Sequence, residues 1–467
     1  MIHPLAASVF AMVAFASSAI LSAQETSSSA SRPNIILILA DDLDFADISI
    51  HGGTKTPTPN IDSIAKNGVQ FTQAYVTCPV CGPSRVAILT GKYQDRIGYV
   101  TNHGPKIPAN FGLPSSEVLV AEVLKNAGYR TGIIGKWHLG FESDMVPNAQ
   151  GFDYFFGHLH GAHDYHPGVE QPGPILRNTE PVKTTKWLTT TLADEAARFI
   201  SDSAGKPYFL YVPFNAVHDP LQAPEELLKK FGHIRNQRDR IMAAMLYELD
   251  EGVGKILQAV KSSGAETNTL VVFFNDNGGT RGHLPEANGE LRGGKATLYE
   301  GGIRVPLFMQ WPGRIPAGTR YEHAVISLDV MPTLLAAANT RTSVTLEGVN
   351  LFPYIDKQAQ GKPHKSMFWR FVDAPDQKAA RKNDMKIVQP APCKPWELYD
   401  LAADPGETKN LATQTPARVN ELAADWREWN STNKDPLFLD ERVIRRREEL
   451  KHQDSGTSAS APPAPRQ

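Results

Sequence analysis

Short apolar runs alternate with stretches of helical periodicity along most of this 467-residue chain, and that alternation restricts the fold more than any other feature. Apolar runs at 35–40, 69–75, 130–134, 208–213 and 269–274 read as buried strands. Helical periodicity covers 61–67, closed by Gly68, and 118–126, stopped by Gly128, and it recurs over 193–203 and 240–262. Strands that are apolar throughout have no solvent face, so their sheet must be covered on both sides. Helices between strands supply the crossovers that parallel pairing needs. The expected fold is therefore α/β, a large and mostly parallel sheet sandwiched by helices, over residues 33–354. Beyond about Tyr354 the texture changes to short segments at 367–372 and 386–388 and a helix at 417–429, which reads as a smaller C-terminal α+β domain over 355–436. Residues 437–467 open with a charged run at 441–451 and end in Ser, Ala and Pro, which bury nothing; 454–467 are expected to be disordered.

Opposite charges almost cancel, 48 Lys and Arg against 50 Asp and Glu. No net field draws the chain to nucleic acid or to an anionic membrane, so any anion specificity must be local. Residues 1–23 hold an apolar stretch broken by Ser8, Ser17 and Ser18 and followed by Leu-Ser-Ala. They read as a secretory signal peptide, too short and too rich in small residues for a membrane span. Residues 24–32 form a polar, Ser-rich linker. The expectation is an exported protein, periplasmic or secreted. Its three cysteines, Cys78, Cys81 and Cys393, leave at least one thiol to explain. A Cys78–Cys81 redox pair and a Cys78–Cys393 bridge are the plain alternatives.

Chemistry-bearing residues repeatedly fall just past the C-terminal end of an expected strand, the edge where open α/β sheets bind ligands. Asp41 and Asp42 follow the first run, Lys136 and His138 the third, His218 the fourth, and Asp276 and Asn277 the fifth. Two adjacent carboxylates with an Asp-Asn pair offer hard oxygen ligands, suited to Ca²⁺ or Mg²⁺ rather than zinc. Singly, each pair reads as a turn or helix cap, and each of Arg85, Lys136, His138, His218 and Lys295 as an ordinary solvated or satisfied side chain. Four strand ends converging on one edge argue for a single site in which several cations face an anion.

At Cys81-Gly82-Pro83-Ser84-Arg85, followed by Leu89-Thr90-Gly91-Lys92, the sequence resembles the type I sulfatases of the alkaline-phosphatase-like superfamily, whose hallmark is Cys-x-Pro-Ser-Arg. The resemblance continues through Asp41-Asp42, Gly135-Lys136-Trp137-His138, Asn275-Asp276-Asn277-Gly278, Arg292-Gly293-Gly294-Lys295 and Glu300-Gly301-Gly302-Ile303-Arg304. It departs at Asp44, Asn275 and Met385, where a glycine, a serine and an aromatic residue are common. It implies a hydrolase of sulfuric esters whose Cys81 is oxidised to formylglycine by a separate maturation enzyme. It also implies one Ca²⁺ held by Asp41, Asp42, Asp276 and Asn277 and touching the formylglycine at 81. Arg85, Lys136 and His138 would surround the nucleophile, with His138 as base, while His218 and Lys295 would bind sulfate and protonate the leaving group. The oxidation has a chemical reason: a thiolate attacking sulfur leaves an adduct with no internal release, whereas one hydroxyl of an aldehyde hydrate attacks and loss of the other's proton ejects sulfate. Pro83 and Ser84 are expected to open a helix whose free N–H groups and dipole face the anion.

The substrate class favoured is sulfated carbohydrate, with a broad arylsulfatase, a phosphomonoester or phosphonate hydrolase on the same scaffold, and a non-catalytic sulfated-glycan-binding protein as alternatives. Ligands for one metal only argue against phosphate chemistry, which often uses two. The histidines His158, His160, His163 and His166 could suggest zinc, but their loop-like spacing fits the wall of a substrate pocket better. His103, Trp187 and Arg281 are read as further contacts to the sugar or aryl part.

Overall fold

In the computed structural model, which describes Met1 and residues 32–104, 107–280, 288–373, 375–439, 441, 443–445 and 448–449, strand β1 (Asn34–Ala40) runs through the middle of an eleven-stranded sheet. The other strands follow as β2 (Val69–Tyr75), β3 (Arg130–Lys136), β4 (Tyr154–His158), β5 (Ile175–Arg177), β6 (Glu180–Val182), β7 (Tyr208–Pro213), β8 (Thr269–Asn275), β9 (Arg304–Gln310), β10 (Thr319–Tyr321) and β11 (Val325–Ile326). Their spatial order is β10-β2-β9-β8-β1-β7-β3-β4-β5-β6, with β11 also on β2. Pairing is parallel where β1 meets β7 and β8 and where β3 meets β7 and β4. It is antiparallel where β9 lies between β2 and β8, and along the β4-β5-β6 margin.

Alternate residues of each central strand enter opposite cores, as a period of two demands. Ile35, Leu37 and Leu39 of β1 join Leu270, Val272 and Phe274 of β8 on one face. Ile36, Ile38 and Ala40 join Val271 and Phe273 on the other. Each such Leu, Ile or Phe contributes roughly 1.5–3 kcal/mol by leaving water. Helices Leu188–Asp202 and Gln237–Ser262 cover the second face, both longer than periodicity alone marks because their first turns are polar. Helix Cys81–Thr90 lies on the first face with all ten residues buried, and it stops where Gly91 turns left-handed at φ 64° and bonds back to the Ala87 carbonyl.

A second, four-stranded antiparallel sheet follows in the order β12 (Ser366–Phe371), β13 (Gln377–Lys382), β14 (Met385–Gln389) and β15 (Glu397–Asp400), with helix Pro416–Asn430 against it. Trp369 anchors it, donating its indole N–H to the Val76 carbonyl at 2.7 Å while its own carbonyl accepts from Trp426. The described residues from Arg32 onward form one compact unit. Among the described residues no helix is long and apolar enough to cross a membrane. The expected signal peptide beyond Met1, most of the linker, residues 454–467 and Arg281 lie outside the described residues.

Candidate active site

Four strand ends bring the site together. Asp41 and Asp42 leave β1 and Asp276 and Asn277 leave β8, the strand paired beside it, and all four are buried. Lys136 is the last residue of β3, His138 lies two residues on, and His218 sits in the loop after β7. Asp42 (φ 57°) and His138 (φ 64°) both adopt left-handed backbone. That costs each roughly 1–2 kcal/mol in a residue with a Cβ, and the surrounding packing must offset it.

Cys81 is the first residue of its helix and lies 1% exposed. Its Sγ is 3.5 Å from Asp41 Oδ1 and 3.6 Å from Lys295 Nζ. The helix opens two residues earlier than Pro83 and Ser84 suggest, and Pro83 sits in the first turn, where its missing N–H costs nothing. The expectation of free N–H groups is corrected: Gly82 donates to Asn102 Oδ1 at 2.8 Å and Ser84 to the Val80 carbonyl at 3.3 Å. Positive charge at the site therefore comes chiefly from side chains.

Lys295 reaches Asp42 at 2.7 Å, and Lys136 forms a fully buried ion pair with Asp41. Arg85, also fully buried, spends its guanidinium on Asp276 Oδ2 (2.9 and 2.7 Å), Asp41 Oδ2 (3.2 Å) and the Lys136 carbonyl (3.1 Å). Burial opposes a thiolate at Cys81, but Lys136 and Lys295 outweigh it and bring the thiol down to about 7. Burial likewise opposes charge on Asp42, yet Lys295 and His218 pull it down to about 2. Asp41 is raised by burial and by Cys81, and Asp276 rises to about 6 through burial and the nearby Asp41. Carboxylates this crowded call for a further cation.

The two histidines are driven apart. His138 places Nε2 3.2 Å from the His103 carbonyl, so that nitrogen carries the proton, and Nδ1 has no hydrogen-bond partner. Burial, then Lys136 and Arg85, hold it well below the ordinary imidazole value, so it is neutral with a bare acceptor. His218 has Nδ1 2.7 Å from the Asp219 carbonyl and Nε2 3.5 Å from Asp42 Oδ2. Burial and Lys136 disfavour its charge, but Asp41 and Asp42 lift it to about 9, so it carries a proton to give. A neutral imidazole with a bare acceptor and a second imidazole that carries a proton are the two kinds of group that acid-base hydrolysis requires.

Among the described residues, Asp41, Asp42, Cys81 and His218 form the one group of metal-ligating type, with donor atoms within 4.8 Å of one another. Asn277 Nδ2 donates to Asp42 Oδ1 at 2.7 Å, while its buried Oδ1 has no partner. An orphaned amide oxygen beside the Asp42 carboxylate fits a hard divalent cation, while Asp276 lies outside that group with Oδ2 held by Arg85. The histidine-rich stretch does not converge in this way: His163 directs both ring nitrogens at carbonyls, and His166 packs at a tilt against Trp187. All three cysteines are free, Cys78 and Cys81 buried and Cys393 exposed, so the structure holds neither a Cys78–Cys81 nor a Cys78–Cys393 bridge.

Some residues with work at the site carry no sequence signal of their own. Asn275 ties the turns after β1 and β8 together by donating Nδ2 to the Leu43 carbonyl at 2.8 Å. Tyr99 donates its hydroxyl to the His138 carbonyl at 3.1 Å. Tyr165 places its hydroxyl 2.6 Å from the Asn215 carbonyl and 2.9 Å from that of His218.

Residues 33–340 match the family model described as Sulfatase, and residues 293–428 match that of N-sulphoglucosamine sulphohydrolase, C-terminal. The chain is 35% identical to Arylsulfatase A of Homo sapiens over 436 residues, 81% of this chain and 83% of that one. It is 35% identical to N-acetylgalactosamine-6-sulfatase of Homo sapiens over 346 residues, 69% of this chain and 65% of the other. The crystal structure of Ps i-CgsB in complex with k-i-k-neocarrahexaose superposes with a TM-score of 0.84 at 34% identity, covering 92% of this chain and 100% of that chain. Fold, strand-edge site and sequence likeness agree: the chain belongs to the sulfatase family, the sulfuric ester hydrolases of the alkaline-phosphatase-like superfamily.

Proposed function

We propose that this protein releases sulfate from sulfated carbohydrates, using a formylglycine made from Cys81 and one Ca²⁺ held by Asp41, Asp42, Asp276 and Asn277. The observation that carries the reading is the position of Cys81, buried between Asp41 and Lys295 at the edge where the four oxygen-bearing side chains gather. Hydrated formylglycine would supply a hydroxyl nucleophile and a second hydroxyl whose deprotonation frees sulfate. Bound Ca²⁺ would supply the Lewis acid that polarises a sulfate oxygen. Lys136 and Lys295 stand ready to balance charge that builds on the ester, and removing one such donor typically costs about 3 kcal/mol in the transition state. His138, neutral with Nδ1 bare, takes the proton; His218, protonated, hands one to the departing alcohol.

The carbohydrate preference rests on the likeness to a protein crystallised with neocarrahexaose and to an N-acetylgalactosamine-6-sulfatase. Export by residues 1–23 to the periplasm or exterior, and oxidation of Cys81 by a separate maturation enzyme, complete the reading. Mass spectrometry of the Cys81 peptide from matured protein is expected to show formylglycine, and Cys81→Ala to abolish sulfate release from sulfated oligosaccharides. Full activity in Cys81→Ala would overturn the proposal.

A further inference from the structure

The histidine-rich segment after β4 runs from one proton-transfer histidine to the other. Gly161 lies against the imidazole of His138 so closely that a Cβ there would stand 2.5 Å from Nε2. Four residues on, the hydroxyl of Tyr165 reaches the carbonyls of Asn215 and His218. The Leu188 N–H, next to Trp187, bonds the Tyr165 carbonyl at 3.0 Å, which brings Trp187 to the same end of the segment. Each end carries a pair of packed, mutually tilted rings. His160 packs on Phe141 with centroids 4.9 Å apart beside His138, and His166 packs on Trp187 at 4.4 Å beside the His218 loop. His160, Phe141 and Trp187 are half-buried and His166 is exposed, so ring surface remains open.

Two of the charged side chains beside these rings are already paired. Asp164 accepts from the His166 N–H at 2.8 Å and from Gln222 at 2.9 Å, and Lys186 pairs with Asp194 at 2.6 Å. Open ring surface flanked by paired charges, set beside a core of cations, matches a ligand with an uncharged ring attached to an anionic group. We infer that the tilted Trp187–His166 ring pair forms a leaving-group subsite that receives the sugar ring bearing the sulfate ester. The ring's C–H face lies on the indole, and its hydroxyls meet the imidazole. This subsite rests on the carbohydrate reading above and deepens it: nitrophenolate is a weak base that departs without help, so an aryl sulfate depends less than a sugar sulfate on how its ring is held.

The test compares Trp187→Ala, His166→Ala and Trp187→Phe in full-length matured enzyme on p-nitrophenyl sulfate and on a carrageenan hexasaccharide. Loss of one ring contact is expected to lower kcat/KM on the hexasaccharide about tenfold. The p-nitrophenyl sulfate rate should stay within about twofold, and Trp187→Phe should recover most of the loss. An equal fall on both substrates would make the rings structural supports, and no fall on the hexasaccharide would remove the subsite; either result overturns the inference while leaving sulfate-ester hydrolysis intact. Wild-type enzyme active on the aryl ester but inert on the hexasaccharide would overturn the carbohydrate reading and the subsite together.

Discussion

Arg85 faces carboxylates, and that placement changes what its motif position means. Its fork holds Asp276 through two nitrogens and Asp41 through one, so it orients two of the four candidate calcium ligands from behind. A lysine cannot copy a planar fork. Arg85→Lys is therefore expected to raise the Ca²⁺ concentration needed for half-maximal sulfate release by about 10- to 100-fold, as loss of an outer partner of a metal site does. A calcium titration of activity checks this; an unchanged titration with only kcat reduced would place the guanidinium's role on the sulfate. The candidate ligands are legible in the chain because several expected strand ends carry polar residues to one edge, although each pair singly reads as a turn or cap. Asn275, Tyr99 and Tyr165 are not, since a lone amide or phenol is common and their work is done on backbone carbonyls hundreds of residues or a whole loop away.

The C-terminal sheet braces the loop that carries Lys295. Lys386 of β14 is fully buried and pairs with both Glu300 and Glu407 at 2.9 Å, and Glu300 also accepts from the Tyr75 hydroxyl at 2.6 Å. Next to Glu300, Gly301 bonds the Arg292 carbonyl, the Gly278 N–H bonds Gly302, and the Lys295 N–H bonds Gly279, so the network ends at Asn277 and Lys295. One ammonium serves two carboxylates. Burial, opposed by Lys386 and reinforced by Glu300, lifts Glu407 from near 4.5 to about 7. The folded state then binds the Glu407 proton more tightly than the unfolded chain, so this group's contribution to stability declines as pH rises from about 4.5 to about 7 and is level above that. Glu407→Gln should flatten that decline in urea unfolding midpoints measured between pH 5 and 8; a slope equal to wild type would assign the decline to other groups. Patterning marks β12 and β14 but not β13, whose Gln-Lys-Ala-Ala-Arg-Lys looks polar and becomes a strand only because both neighbours pair with it. Pro306 hides β9 in the same way. It is tolerated because it falls where the register with β2 shifts between Phe71 and Ala74, a gap in the ladder.

The whole molecule makes the site, since its parts are far apart along the chain. Arg85 and Asp276 are separated by 191 residues, and Asp42 and Lys295 by 253. Parallel pairing of β1 with β8 sets the two ligand-bearing turns side by side, an outcome the alternation of strand and helix foretells even though it leaves strand order undecided. A cation bridging those turns would bind the folded chain and not the unfolded one, so it must stabilise the fold by mass action. At a free concentration 100-fold above its Kd, that contribution is about 2.7 kcal/mol. Chelation is accordingly expected to lower the thermal midpoint by a few degrees and added Ca²⁺ to restore it. Asn277→Ala, which removes the orphaned oxygen, should shrink that response while leaving the chelated protein's midpoint within about 2 °C of wild type. Midpoints that ignore both chelator and calcium would mean that the three carboxylates and the amide do not hold a divalent ion, and that Lys136, Lys295 and Arg85 alone balance their charge.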